Sequence, residues 1–397
     1  MDKREKNALG HMDMNRLIQL ARQLIQIPSI NPPGEYGDIS ALLHDEMNSI
    51  GLKTALLEGG SGRPNILGML SGSELRGPVL MLSGHTDVVS PGDPSSWKWP
   101  PFAGSISDDK IWGRGAVDMK GALAASVMAM DAVVRAGVKL KGTVMMGATV
   151  DDETAGPWGM KYVLEKGLQS LGWPLPSFHV LGEANNLNIT GAFKGRFWAK
   201  ISVRGKQAHG GEPHAGVNAI EKMIKLLSET RTLCRLRHPL MGRDTLNIGK
   251  IQGGEVVNVV PARCTAHIDF RMCSPDQAEE AVKRLRNIIR GLEEEDTEFR
   301  LDELEVYELR DPVEVASNHP LVKTIAGCVE SVTGRAAAFE GSLSAGDLYH
   351  SLKRGIPGVW IGAGDGSLRH AANECIAIKD LVNMARVYVL LILRVCA

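Results

Sequence analysis

The chain has 397 residues, with 45 Lys and Arg against 46 Asp and Glu and a formal net charge of −1. That length exceeds one simple core and predicts a large domain plus a smaller one, and the interspersed charge offers no field to hold nucleic acid or an anionic membrane. The N-terminal Met1-Asp2-Lys3-Arg4-Glu5-Lys6 lacks a signal peptide's apolar run, residues 387–393 are too few to span a bilayer, and six cysteines form no Cys-x-x-Cys pair; reduced thiols in a cytoplasmic protein are expected.

In chain order, apolar residues at helical spacing predict helices over 14–25, 39–50 (closed by Gly51) and 119–135 (closed near Gly137), with strands at 79–82, 143–150 and 178–181. Each strand stops just before a polar cluster or a Gly-rich segment. The pattern then changes: strand 196–203, helix 217–230, strands 245–251 and 256–271, helix 275–289 and strand 297–304. That order is βαββαβ, a ferredoxin-like arrangement. Ser274-Pro275 suits the start of its second helix, acidic residues weaken the alternation of its last strand, and Glu293-Glu294-Glu295-Asp296 reads as a solvated turn. Helix 321–332, closed by Gly334, and strand 358–361 resume the first pattern. The fold class is therefore α/β, a mostly parallel sheet with helices on both faces and a ferredoxin-like α+β insertion. The expected division is 1–194 and 308–397 for the catalytic domain and 195–307 for the insertion.

The polar clusters carry the chemistry. Ser83-Gly84-His85-Thr86-Asp87 is followed by Gly113-Arg114-Gly115-Ala116-Val117-Asp118-Met119-Lys120-Gly121, then by Asp151-Asp152-Glu153, Gly182-Glu183-Ala184-Asn185 and His370-Ala371-Ala372-Asn373-Glu374. Imidazole nitrogen and carboxylate oxygen suit zinc, and paired zincs share a carboxylate while activating a carbonyl and a water. Five such clusters at strand ends read as one dinuclear hydrolase site.

These motifs, with Trp97-Lys98-Trp99-Pro100-Pro101-Phe102, resemble the dinuclear zinc amidohydrolase and peptidase family of acetylornithine deacetylase, succinyl-diaminopimelate desuccinylase, aminoacylase and carboxypeptidase G. The resemblance runs from about residue 13 to the C-terminus. It implies two divalent ions, zinc foremost, with cobalt or manganese suited to the same donors. His85 and Glu183 would hold one ion, Glu153 and His370 the other, and Asp118 would bridge them, followed by a cis peptide. Asp87 would accept the proton on the second ring nitrogen of His85.

The base position departs from the family pattern of two consecutive glutamates. Here Asp152 precedes the ligand Glu153, a side chain one methylene shorter. A misplacement of about 1 Å costs about a hundredfold in rate. A metal-binding homologue with impaired catalysis is the alternative this leaves.

In the insertion, Gly205-Lys206-Gln207-Ala208-His209, leading to Pro213 and Gly216-Val217-Asn218-Ala219, resembles the family segment whose histidine reaches a neighbouring subunit's active site and steadies the oxyanion. A loop histidine capping the next helix is the alternative. The resemblance also makes the insertion a lid and homodimer interface. Asn247 and Arg271 fall where the family binds a substrate carboxylate or carbonyl, Arg having the matching planar fork; an Asp269 to Arg271 surface pair is the other reading. Gly341, in Glu340-Gly341-Ser342-Leu343-Ser344-Ala345-Gly346-Asp347, belongs to a loop that presents backbone N–H groups to a carboxylate or makes a tight turn. Gly362-Ala363-Gly364-Asp365-Gly366 lets His370 approach the metals. The implied reaction is hydrolysis of an N-acyl amino acid, with a carboxypeptidase or dipeptidase acting on small peptides as the alternative.

Overall fold

The four apolar runs form the parallel centre of one large sheet. Val79–His85 pairs in parallel with Thr143–Thr149 on one side and with Phe178–Ala184 on the other, and Phe178–Ala184 pairs in parallel with Gly358–Gly362. Antiparallel strands flank this centre: Arg63–Leu70 and then Lys53–Gly60 at one end, Ile189–Phe193 at the other. This computed structural model describes residues 1–60, 62–273, 277–344 and 346–397. The chain divides into two units, one of Met1–Gly191, Val315–Glu340 and Gly346–Ala397, the other of Ala192–Glu314 with Gly341–Ala345.

Side chains alternate along a strand, so each central strand is buried on both faces. Val79 and Met81 pack with Leu57, Leu67 and Met145 against Met160, Val163, Leu164 and Leu168 of the helical stretch that follows the Asp152 loop. On the other face a side chain at Gly84 would meet Met119 and Leu123, and one at Gly182 would meet Ala122. The helices Lys120–Arg135 and Ile378–Cys396 therefore lie directly on the strands that carry the polar clusters. Small residues make that close approach possible: Ala122, Ala124, Ala125, Ala129 and Ala132 are all buried in the first of these helices. Helices Met14–Gln26, Gly37–Ser49 and Pro320–Thr333 also form where apolar spacing places them, the last ending at Gly334 in the left-handed conformation. Among the described residues no helix is long and apolar enough to cross a membrane.

The second unit is a four-stranded antiparallel sheet in the order Thr245–Gly253, Arg263–Met272, Gly195–Arg204, Arg300–Arg310. Phe197, Ala199, Ile201, Ala266, Ile268 and Phe270 face the helices Ala219–Thr230 and Ala278–Glu295 with Met223, Leu226, Leu285 and Ile289 between them. Three details differ from the sequence expectation. Residues 254–262 are not strand, because Gly254 turns the chain at a φ of 74° and Pro261 has no N–H to give a ladder. The acidic run Glu293-Glu294-Glu295 is the last helical turn, held by burial of Ile289 and Leu292. The final strand continues to Arg310, and register shifts at Leu301/Glu303 and Val306/Glu308 account for its weak alternation. The expected Ser274-Pro275 helix start lies outside the described residues. Val313 and Glu314 pair antiparallel with Phe193 and Ala192, bringing the two ends of the unit side by side.

Candidate metal centre

The clusters converge at the carboxyl ends of the central strands. His85 ends Val79–His85, Glu183 lies near the end of Phe178–Ala184, Glu153 follows Thr143–Thr149, and His370 follows Gly358–Gly362. Asp118 precedes the helix Lys120–Arg135, and its peptide bond to Met119 is cis. Glycines allow the loops to approach. A side chain at Gly362 would strike the carbonyls of Gly182 and Glu183, and Gly364, at a φ of 89°, lies against Val117.

Asp118 stands between two histidines. Its Oδ1 is 3.0 Å from His85 Nε2 and its Oδ2 is 3.2 Å from His370 Nε2. Glu183 Oε1 approaches the same His85 nitrogen at 3.6 Å, and Glu153 Oε2 the same His370 nitrogen at 3.0 Å. Two triads thus share one carboxylate, and within each the donor atoms lie within 4.8 Å of one another.

His85 Nδ1 is 2.9 Å from the backbone oxygen of Asp87, which can only accept, so Nδ1 carries a proton and Nε2 turns toward the carboxylates. Oxygen lone pairs of two acids converging on that nitrogen require positive charge between them. Without metal, a proton supplies it. Burial opposes a charged His85, yet hydrogen bonding to Asp118 and Glu183 outweighs it and raises the imidazole well above its ordinary range. Asp118 and Glu153 raise His370 to about 10. Burial works against ionised Asp118, but both histidines hold it below the usual carboxylate range, whereas burial pushes Glu153 up to about 7. Glu153 Oε1 is buried with no hydrogen-bond partner. An acceptor without a donor, beside histidines whose pKa the neighbouring carboxylates raise, fits a site that takes divalent cations.

The surrounding residues set the distance between the loops. Arg114 and Glu374, both buried, form a 2.6 Å ion pair. Glu374 Oε1 accepts the N–H groups of Val117 and Asp118 at 2.9 and 3.1 Å, while Arg114 donates to the carbonyls of His370 and Ala371 at 3.1 and 3.2 Å. One pair therefore joins the Asp118 loop to the His370 loop. Trp97 stacks under the Arg114 guanidinium, and Asn373 accepts the N–H of Lys98, so the Trp97 to Phe102 motif braces the same junction. Lys120, fully buried, donates to the carbonyl of Ile27 at 2.6 Å, and burial lowers it to about 7.

Asp87 does not hold His85 in the expected way. Its main chain takes the Nδ1 proton and its carboxylate is 3.6 Å from that nitrogen, because the carboxylate is engaged by the N–H groups of Asp152 and Glu153 at 3.4 and 3.1 Å. Asp152 is half-buried, and its charge adds to the negative field felt by both His85 and Asp87.

The remaining candidates belong to the second unit. His209 is exposed on a segment bridged to Val259, and its Nδ1 accepts the N–H of Gly211 at 3.1 Å, which leaves the proton of the neutral ring on Nε2. The next helix is capped by Asn218 instead. Arg271 grips Asp269 through Nε and Nη2 at 2.8 and 2.9 Å, and Asn247 is the cross-strand neighbour of Asp269. Gly341 lies within the strand Phe339–Ser342, where a side chain would collide with the backbone of Leu240. Sequence reasoning passed over Arg114 and left Glu374 without a role; the ion pair spans 260 positions, and only its neighbours' motifs signalled it.

Residues 81–394 match peptidase family M20/M25/M40. The succinyl-diaminopimelate desuccinylase of Gluconacetobacter diazotrophicus is 29% identical over 387 residues, 94% of each chain. Among solved structures, the aminopeptidase PepT of Bacillus cereus superposes with a TM-score of 0.80 at 21% identity, covering 97% of this chain and 100% of the other. Human carnosine dipeptidase 1 gives 0.73 at 16% identity, covering 98% of each.

Proposed function

Because the chain belongs to peptidase family M20/M25/M40 and is therefore a metal-dependent hydrolase, we propose that it cleaves the amide bond of an N-acyl amino acid with two divalent ions, zinc foremost, bound at the shared Asp118. The observation that carries this reading is the pair of triads, with Asp118 offering one oxygen to each histidine. His85 and Glu183 are assigned to one ion, His370 and Glu153 to the other. When bound, the ions polarise the amide carbonyl and acidify water.

The protein's own groups handle the protons and the orientation. Asp152 takes a proton from the attacking water and delivers it to the leaving amine. Asp87 fixes the backbone on which Asp152 is carried. Arg271, Asn247 and Gly341 are assigned to the substrate carboxylate. His209, whose neutral ring carries its proton on Nε2, is assigned to the oxyanion in the partner of a homodimer. Two features of the second unit support that dimer: Thr245–Gly253 is an edge strand of its sheet, and Ile251 on it and Val256 and Val257 just after it are exposed. Six free cysteines suit a reducing cytoplasm.

The name of the 29% identical relative favours deacylation over peptide cleavage. Zinc titration followed by a panel of N-acetyl and N-succinyl amino acids and dipeptides tests the proposal. Turnover confined to dipeptides replaces the deacylase reading with a dipeptidase, and two bound zincs with no turnover assign the chain to the metal-binding, noncatalytic alternative.

A further inference from the structure

We propose that Asn31 is the positioning residue of the Asp151-Asp152-Glu153 loop, its buried side-chain amide being the donor that locks the carboxylates of Asp87 and Asp151 together. The inference rests on Asp152 as base and Glu153 as a metal donor.

Asn31 is only 4% exposed. Its backbone N–H donates to the carbonyl of Val88 at 2.9 Å, and Ile30 bridges Val88, so Asn31 is fixed to the chain just after Asp87. From there Nδ2 donates to Asp87 Oδ2 at 2.9 Å, to Asp151 Oδ1 at 3.2 Å and to Thr154 Oγ1 at 3.1 Å. Asp87 and Asp151 are both buried, and two carboxylates sharing one donor repel unless positive or N–H groups separate them. Asn31 provides the shared N–H, and Arg63 provides the charge, donating to Asp151 Oδ1 at 2.6 Å.

The loop is built on this clamp. Asp151 has a φ of 73°, its carbonyl accepts the N–H of Gly156 at 2.9 Å, and a side chain at Gly156 would overlap its carboxylate. The anchored Asp151 side chain thus fixes one end. Asp87, held by Asn31, accepts the next two N–H groups, those of Asp152 and Glu153. Both functional side chains therefore depart from a backbone whose register is set by an amide 120 positions earlier in the chain. Arg63 holds the clamp from outside.

Asn31→Leu removes the donor while keeping the volume, and Arg63→Met weakens the same clamp from a half-exposed position. In metal-free protein, hydrogen exchange of the peptide holding Asp152 and Glu153 should quicken about tenfold or more in both variants, with exchange over Val79–His85 unchanged. Competition for zinc against a chromophoric chelator should show one of the two ions bound about 10- to 100-fold more weakly and the other retained. On any amide the wild type hydrolyses, kcat should fall with KM within about twofold. Wild-type exchange and two unchanged zinc affinities in Asn31→Leu would overturn the proposal. So would loss of both ions together with faster exchange throughout the sheet, the mark of a general packing role. If Asn31→Leu does not fold, the same outcomes in Arg63→Met decide. If no amide in the panel is hydrolysed, the deacylase reading fails while exchange and zinc binding still judge Asn31.

Discussion

One methylene separates Asp152 from the glutamate usual at its position, and the loop around it is held at both ends. Asp152→Asn, which keeps the shape and removes the basicity, should lower kcat by about 10²- to 10⁴-fold with zinc content unchanged. Asp152→Glu should match or exceed wild-type turnover in the same assay. Full activity in Asp152→Asn would transfer the base role elsewhere. The Arg114 and Glu374 pair makes a different demand. Arg114→Met leaves a buried carboxylate with fewer donors, so unfolding in urea should report a loss of about 3–5 kcal/mol. The residues of the two triads were legible in the sequence because each lies in a compact polar cluster close to the end of an apolar run. Arg114, Asn31 and Arg63 were not, because what they do depends on partners brought close only by the fold. The role expected of the Asp87 carboxylate was misplaced for the same reason: spacing brings it near His85, but competing N–H groups from a distant loop claim it.

Among the elements, the four central strands and the long helices could be read from apolar runs ended by glycine, since burial on both faces leaves an uninterrupted signal. Segment 254–262 could not, because valines there suggest strand while Gly254 and Pro261 forbid the ladder. Within the sheet lies a buried histidine that no motif announced. His179, on Phe178–Ala184, makes a 2.5 Å contact with Ser83 Oγ and a 2.6 Å contact with Ser351 Oγ, and burial lowers it to about 3. A histidine kept neutral in the folded protein contributes stability that is present above its ordinary pKa and is lost as pH falls toward its folded one. Between pH 6.5 and 5 the loss should be about 2 kcal/mol. Urea unfolding across that range should show it, and His179→Asn should flatten the profile. An equally steep profile in the variant would assign the acid sensitivity to other groups.

For the whole molecule, metal and protons compete for the same place. Carboxylate neighbours raise both His85 and His370 above the ordinary imidazole range, which favours the doubly protonated ring of each in the metal-free protein. Loading two zincs should release about two protons, and affinity should rise with pH through the neutral range. Calorimetry in buffers of different ionisation heat measures the count; no release would contradict the raised imidazoles. In the metal-free state the linkage runs the other way, the stability contributed by His370 being complete below the ordinary imidazole pKa and lost as pH climbs through about 10. The proposed dimer makes a separate demand. Refolding His209→Ala chains with Glu153→Ala chains in equal amounts should restore about a quarter of wild-type activity, since half the dimers are hybrids with one complete site. Mixtures as inactive as their parents would confine His209 to a local role.

The pairing of Phe193 with Val313 has a consequence for where the chain can be shortened. Geometrically these residues close a hairpin whose loop holds most of a folded unit. Closing a loop costs entropy that grows only with the logarithm of its length, so a large insertion between two residues already side by side disturbs its host little. The same economy works in reverse: an Asn-Gly turn in place of residues 194–312 matches the span between paired strands.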